Sequence, residues 1–115
     1  MAQTATKEAV LPAEVIDRAQ LSRMTFGDRN LERELLELFD RQSEMLIARI
    51  RAGAAVKPLA HTLKGSASGI GAGDVACAAE AAERADGEDC SAAIDRLALA
   101  VEQARALIAE LLRQS

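Results

Sequence analysis

Between a handful of breakers, apolar residues return every three or four positions along almost the whole chain. That pattern allows little besides amphipathic helices joined by short loops. Pro12 can open a first short helix, about 13–23, because proline is tolerated in the first helical turn. Val15, Ile16, Ala19 and Leu21 supply its apolar surface. Phe26-Gly27-Asp28 interrupts the pattern, with Asp28 placed to cap a long helix over roughly 29–52. Leu31, Leu35, Leu38, Phe39, Leu46 and Ile50 recur along it, and Gly53 ends it. A third helix carries Pro58 in its first turn and runs to about Gly69. The Gly69-x-Gly71-x-Gly73 cluster turns the chain into a fourth, about 72–86, with Val75, Ala76, Ala79 and Ala82 as its apolar side. Asp86-Gly87-Glu88-Asp89 is a loop, and Asp89 or Ser91 caps a last helix of about 91–113 bearing Ile94, Leu97, Val101, Ile108 and Leu111.

Short connections make sequential helices antiparallel neighbours. The expected architecture is therefore an all-α, antiparallel, up-and-down four-helix bundle with a short N-terminal capping helix. Composition agrees: half the residues are apolar, alanine dominates them, and the aromatics are Phe26 and Phe39. Alanine is the best helix former. At 115 residues the chain is expected to form one domain over 11–115, preceded by a disordered tail over 1–10.

The only histidine sits in Leu59-Ala60-His61-Thr62-Leu63-Lys64-Gly65-Ser66-Ala67-Ser68-Gly69-Ile70-Gly71-Ala72. At about 100° per residue, Leu59, Leu63, Ala67 and Ile70 form one stripe, and His61 points roughly 165° away from it. Lys64, Gly65 and Ser68 share its face. Glycine inside a helix costs about 1 kcal/mol relative to alanine. Helical side chains lean toward the N-terminus, so a side chain at position 65 would cover the ring; glycine leaves it open. Lys64 can lean back and place its ammonium near whatever His61 carries. A neutral imidazole offers a nitrogen lone pair near pH 7, and phosphoryl oxygens would accept a charge-assisted hydrogen bond from Lys64. These features favour phosphoryl transfer. Folding the chain back at 53–57 sets Met45, Ala48 and Arg49 beside the first turns of the third helix, making Met45 and Arg49, with Ser68, candidates for a partner-binding surface.

Other chemistries are poorly supported. One histidine without convergent carboxylates or thiolates makes no metal site. The glycine cluster follows no strand and lacks a closing Gly-Lys-Ser/Thr, so it is not a nucleotide loop. Glu80 and Glu83 read as surface carboxylates. The net charge is −4 with both signs interspersed, and no basic, aromatic-laced patch suggests nucleic acid. No apolar run approaches the ~20 residues that span a bilayer, and the first eight residues lack a signal-peptide core. Cys77 and Cys90 occur singly, the first expected as a small buried filler and the second in a turn. Such cysteine usage points to the cytoplasm.

The run His61, Leu63, Lys64, Gly65, Ile70, Gly71, Ala72 resembles the H-x-L-K-G-x-x-x-x-[hydrophobic]-G-A signature of histidine-containing phosphotransfer (HPt) domains. Glu83 falls where that family often has a Leu-Glu pair, with Ala82 in place of the leucine. Phe39 fits an aromatic of the long preceding helix, and Ile16-Asp17 an early hydrophobic-Asp pair. The likeness extends over 12–113 and is specific over 59–83. It implies a phosphorelay intermediate whose His61 Nε2 exchanges a phosphoryl group with receiver-domain aspartates of response regulators, a hybrid sensor kinase being a further candidate partner. It also implies that the receiver supplies Mg²⁺, with no cofactor on this chain. A monomer without autonomous kinase activity is expected. An autophosphorylating kinase fragment fits less well, because Thr62 rather than an acidic residue follows His61 and no proline lies downstream. The alternative is a phosphorylation-independent helical adaptor that binds receivers or other signalling proteins.

Overall fold

A computed structural model describes residues 15–114, so the expected tail over 1–10 and the proline opening at Pro12 lie outside the described residues. Five complete helices follow: α1 Arg18–Met24, α2 Arg29–Arg51, α3 Val56–Gly69, α4 Gly73–Arg84 and α5 Asp89–Gln114. Each of α2 to α5 packs on its neighbour in sequence, and α2 against α5 closes the ring. Opposed numbering across that last seam shows the antiparallel sense: Arg33 donates to the Leu112 carbonyl, Arg105 pairs with Asp40, and Arg51 with Asp95. Among the described residues, no helix is long and apolar enough to cross a membrane.

Helix boundaries follow local chemistry. The Asp28 carboxylate accepts from the Leu31 N–H, one of the donors that a helix start leaves unpaired. Asp17 caps α1 in the same way, accepting from Gln20, so this helix starts at Arg18 and not near residue 13. Residues Ile16 and Asp17 are thus the anchor and cap of α1, not part of its interior. The last helix likewise begins earlier than expected. Asp89 is its first residue, so neither Asp89 nor Ser91 caps it from outside.

The core is built from small and branched aliphatic side chains. Ile16, Leu63, Val75, Leu97 and Ile108 are completely buried, each contributing about 1.5–3 kcal/mol before entropy is subtracted. On α2 the buried stripe is Leu36, Phe39, Ser43, Leu46 and Ile50, while Leu31 and Leu38 are exposed. Phe39, Leu46 and Ile50 are buried as expected, but leucines occupy both sides of that helix, and spacing alone took Leu31 and Leu38 where Leu36 is the core residue. On α3 Ala60 replaces the half-buried Leu59 in the stripe, and on α4 Ala78 replaces Ala76. Cys77 is exposed because α4 buries Val75, Ala78, Ala79 and Ala82, which leaves position 77 outside the stripe. Cys90 is the second residue of α5, not a turn residue, and its thiol donates to the Ala85 carbonyl.

α1 lies across one end of the bundle. The Asp17 N–H donates to the Gly71 carbonyl at 2.7 Å, and Gln20 Nε2 donates to the Ser68 carbonyl at 2.6 Å. Gly71 has φ +80°, and a Cβ there would sit 2.7 Å from the Asp17 carbonyl oxygen. Two constraints, handedness and a close backbone crossing, therefore both require glycine. Gly71→Ala is expected to cost at least about 2 kcal/mol, since the left-handed conformation alone costs about 1–2 kcal/mol. A fall in the urea midpoint with unchanged slope checks this.

Candidate functional site

α3 begins without a side-chain cap, at Ala55, and Pro58 occupies its first turn, where a missing N–H costs little. Burial of Ala60, Leu63, Ala67 and Ile70 fixes the rotation of the helix about its axis. That rotation turns His61, Gly65 and Ser68 to the outside and leaves Lys64 half-buried at its edge. The His61 side chain is 65% exposed. A Cβ added at Gly65 would find nothing within 4 Å, so this glycine does not mark a close helix crossing. The space above it is open.

α3 and α4 share the most extensive contact in the molecule. Alanines on both buried faces let the helices approach closely, because interaxial distance follows the side chains at the contact. Across this seam the Glu83 carboxylate meets two side chains of α3. Its Oε2 lies 2.9 Å from His61 Nδ1, and its Oε1 lies 3.2 Å from Lys64 Nζ. Partial burial pushes the Glu83 carboxyl pKa up, but hydrogen bonds and charge from Lys64 and His61 outweigh this and hold it below the usual value. At neutral pH the carboxylate is ionised and can only accept, so Nδ1 carries the proton in the bond between them. In the neutral ring the lone pair then belongs to Nε2, which makes no hydrogen bond among the described residues.

Glu83 is the residue whose part at the site was not legible from composition and spacing; only its match to a family position marked it. Glu80, its expected twin on the surface, instead pairs with Arg84 one turn along. Lys64 stands where the spacing put it, on the face of His61, with its ammonium resting on Glu83. Ser68 is exposed, and its carbonyl is tied to α1. Met45 and Arg49 are exposed on α2, and neither is hydrogen-bonded or ion-paired to His61 among the described residues. The Ser66 hydroxyl meets Gln42 Oε1 at 3.0 Å, which fixes the antiparallel register of α2 and α3. Stepping along both helices from that pair places Met45 and Arg49 within a turn of the level of His61. Gln42 and Gly65 also line an apolar groove with Met24, Leu35 and Leu38. Among the described residues, no three His, Cys, Asp or Glu side chains gather to hold a metal ion.

The depressed Glu83 pKa sets a sign for stability against pH. A carboxyl held lower in the folded chain stabilises fully above the usual glutamate value of 4.5, and that contribution is lost as pH falls through the lower folded value. Glu83→Gln is therefore expected to lower the urea midpoint at neutral pH, with the gap from the native chain closing only below pH 4.5. A gap that is constant down to the acid transition would show that Glu83 carries no such charge coupling.

A family model for the Hpt domain matches residues 34–107, a span containing His61, Lys64, Gly65 and Glu83. Hpt domains are helical bundles that perform histidine phosphotransfer in phosphorelays and interact with receiver domains. No match was found among curated proteins or among solved structures. With well over half of its length matched by the family model, the chain belongs to the Hpt domain family.

Proposed function

We propose that this chain is a phosphorelay intermediate in which His61 accepts a phosphoryl group from an aspartyl phosphate on one receiver domain and passes it to an aspartate on another. The observation that carries the reading is the 2.9 Å contact between Glu83 and Nδ1, which leaves Nε2 as the nucleophile on an exposed ring. In the forward step the Nε2 lone pair forms the N–P bond while the acyl-phosphate O–P bond breaks, and the receiver's carboxylate leaves with the electron pair. The ring gains positive charge as this happens. Glu83, already accepting from Nδ1–H, stabilises that charge and holds the ring's orientation.

Lys64 has three N–H donors and spends one on Glu83, so the others can meet the phosphoryl oxygens. Gly65 keeps the approach to the ring open. Phosphoryl transfer depends mainly on positioning and charge stabilisation, so these groups suffice on the carrier's side. The family resemblance assigns Mg²⁺ to the acidic pocket of the partner receiver. The apolar groove beside Gly65, with exposed Leu38 and Met45, Arg49 and Ser68 around it, is the surface we assign to receiver docking. A monomer in the cytoplasm fits this role, with response-regulator receivers and a hybrid sensor kinase as its partners.

The test is incubation with a phosphorylated receiver and Mg²⁺. The chain should acquire an acid-labile, alkali-stable phosphate that is absent in His61→Gln. A chain that binds the receiver but takes no label would be an adaptor, and the proposal would fall. Lys64→Ala should slow transfer about tenfold or more, the scale of one charge-assisted hydrogen bond, without changing the helical signal. Gly65→Leu should also slow transfer, and normal rates in that variant would remove the argument from open space.

A further inference from the structure

Helices α1, α2 and α3 each close with the backbone N–H of the next residue donating back to carbonyls of the last turn. α4 does not. Its following residue, Ala85, is extended at φ −71° and ψ 145°, and no backbone N–H there folds back among the described residues. A helix end left so exposes carbonyls and the negative end of the helix dipole. The carbonyls at this end are met by side chains from two other helices: the Cys90 thiol of α5 donates to the Ala85 carbonyl, and Lys57 of α3 takes the larger share. Lys57 Nζ donates to the Glu83 carbonyl at 2.8 Å and to the Ala85 carbonyl at 2.9 Å, and lies 3.3 Å from Asp86 Oδ1. Three acceptors match the three donors of an ammonium.

We propose that Lys57 is a positioning residue for His61, acting through the C-terminal turn of α4 by fixing Glu83. Lys57, His61 and Lys64 stand at i, i+4 and i+7, one above another on a single face of α3. All three reach the same residue: Lys57 takes its backbone carbonyl, His61 one carboxylate oxygen and Lys64 the other. The carboxylate can hold the Nδ1 proton only while the last turn of α4 keeps its place. Among the described residues no other side chain of α3 hydrogen-bonds that backbone, and without Lys57 Glu83 would share its position with alternatives that release the ring. Lys57 differs from Lys64 in this respect, since its donors are spent on the end of α4 and none is left for a phosphoryl group.

The inference rests on the phosphotransfer reading for its significance, but its test needs no phosphate. In the ¹⁵N-labelled full chain, imidazole nitrogen shifts report which ring nitrogen carries the proton. Lys57→Met should raise the ratio of the Nε2–H to the Nδ1–H form about two- to fivefold, the scale of a cation's interaction with a helix C-terminus. Amide spectra should still show the folded bundle, and Lys57→Arg should restore most of the native ratio. In a Glu83→Gln background the same substitution should change nothing further, because Lys57 acts through that carboxylate. An unchanged ratio in Lys57→Met, or an equal effect with Glu83 already replaced, would overturn the proposal. A chain whose tautomer answers to Lys57 yet never accepts phosphate would sink the phosphorelay reading and leave the positioning role intact.

Discussion

A single carboxylate, reached from α3 by a histidine and a lysine, is the interaction on which the organisation of this site depends. It is possible only because α3 and α4 approach closely, and they do so because both bury alanine where larger residues would hold them apart. The alanine-rich composition thus does more than favour helix. It sets an interhelical distance short enough for a glutamate on one helix to meet an imidazole on the other while that ring stays mostly in solvent. The fold and the chemistry of the histidine face share one cause.

The two long helices serve a different purpose. α2 and α5 run antiparallel along their length, joined by ion pairs of Arg105 with Asp40 and Glu44 and of Arg51 with Asp95. Exposed pairs of this kind are worth little individually, and the seam is held chiefly by buried Phe39, Leu46, Leu97, Val101 and Ile108. This half of the bundle is the frame against which α3 and α4 are set. Its outer face also carries exposed apolar residues, with Leu31, Leu38 and Met45 at seven-residue spacing on α2. The α3-proximal part of that stripe borders the groove beside Gly65.

Much of this was legible in the sequence, and what was not has definite reasons. The helix count, the Asp28 cap, the end at Gly53 and the outward face of His61 follow from local patterns, and local patterns fixed them. On α2 Phe39, Leu46 and Ile50 are core as their spacing implies, but Leu31, Leu35, Leu36 and Leu38 crowd about two turns, and only a packed partner decides among them. Cys77 looked like core because it stands among alanines, yet the α4 stripe passes it by. The Asp17 cap was missed because Pro12 offered an earlier start that satisfied the same rule. Glu83 is a matter of distance along the chain: a contact spanning 22 positions leaves no trace in periodicity.

The clasp between α1 and the glycine turn has a consequence for how the molecule breathes. α1 has only seven residues, and among the described residues Ile16, Leu21 and two hydrogen bonds, to Gly71 and Ser68, secure it. A unit so lightly tied opens locally at a lower free energy than the bundle does as a whole. Its amide protons are expected to exchange with solvent early, at the end of α3 remote from the imidazole. Loosening of that end can therefore proceed while the histidine, the glutamate and both lysines keep their mutual geometry.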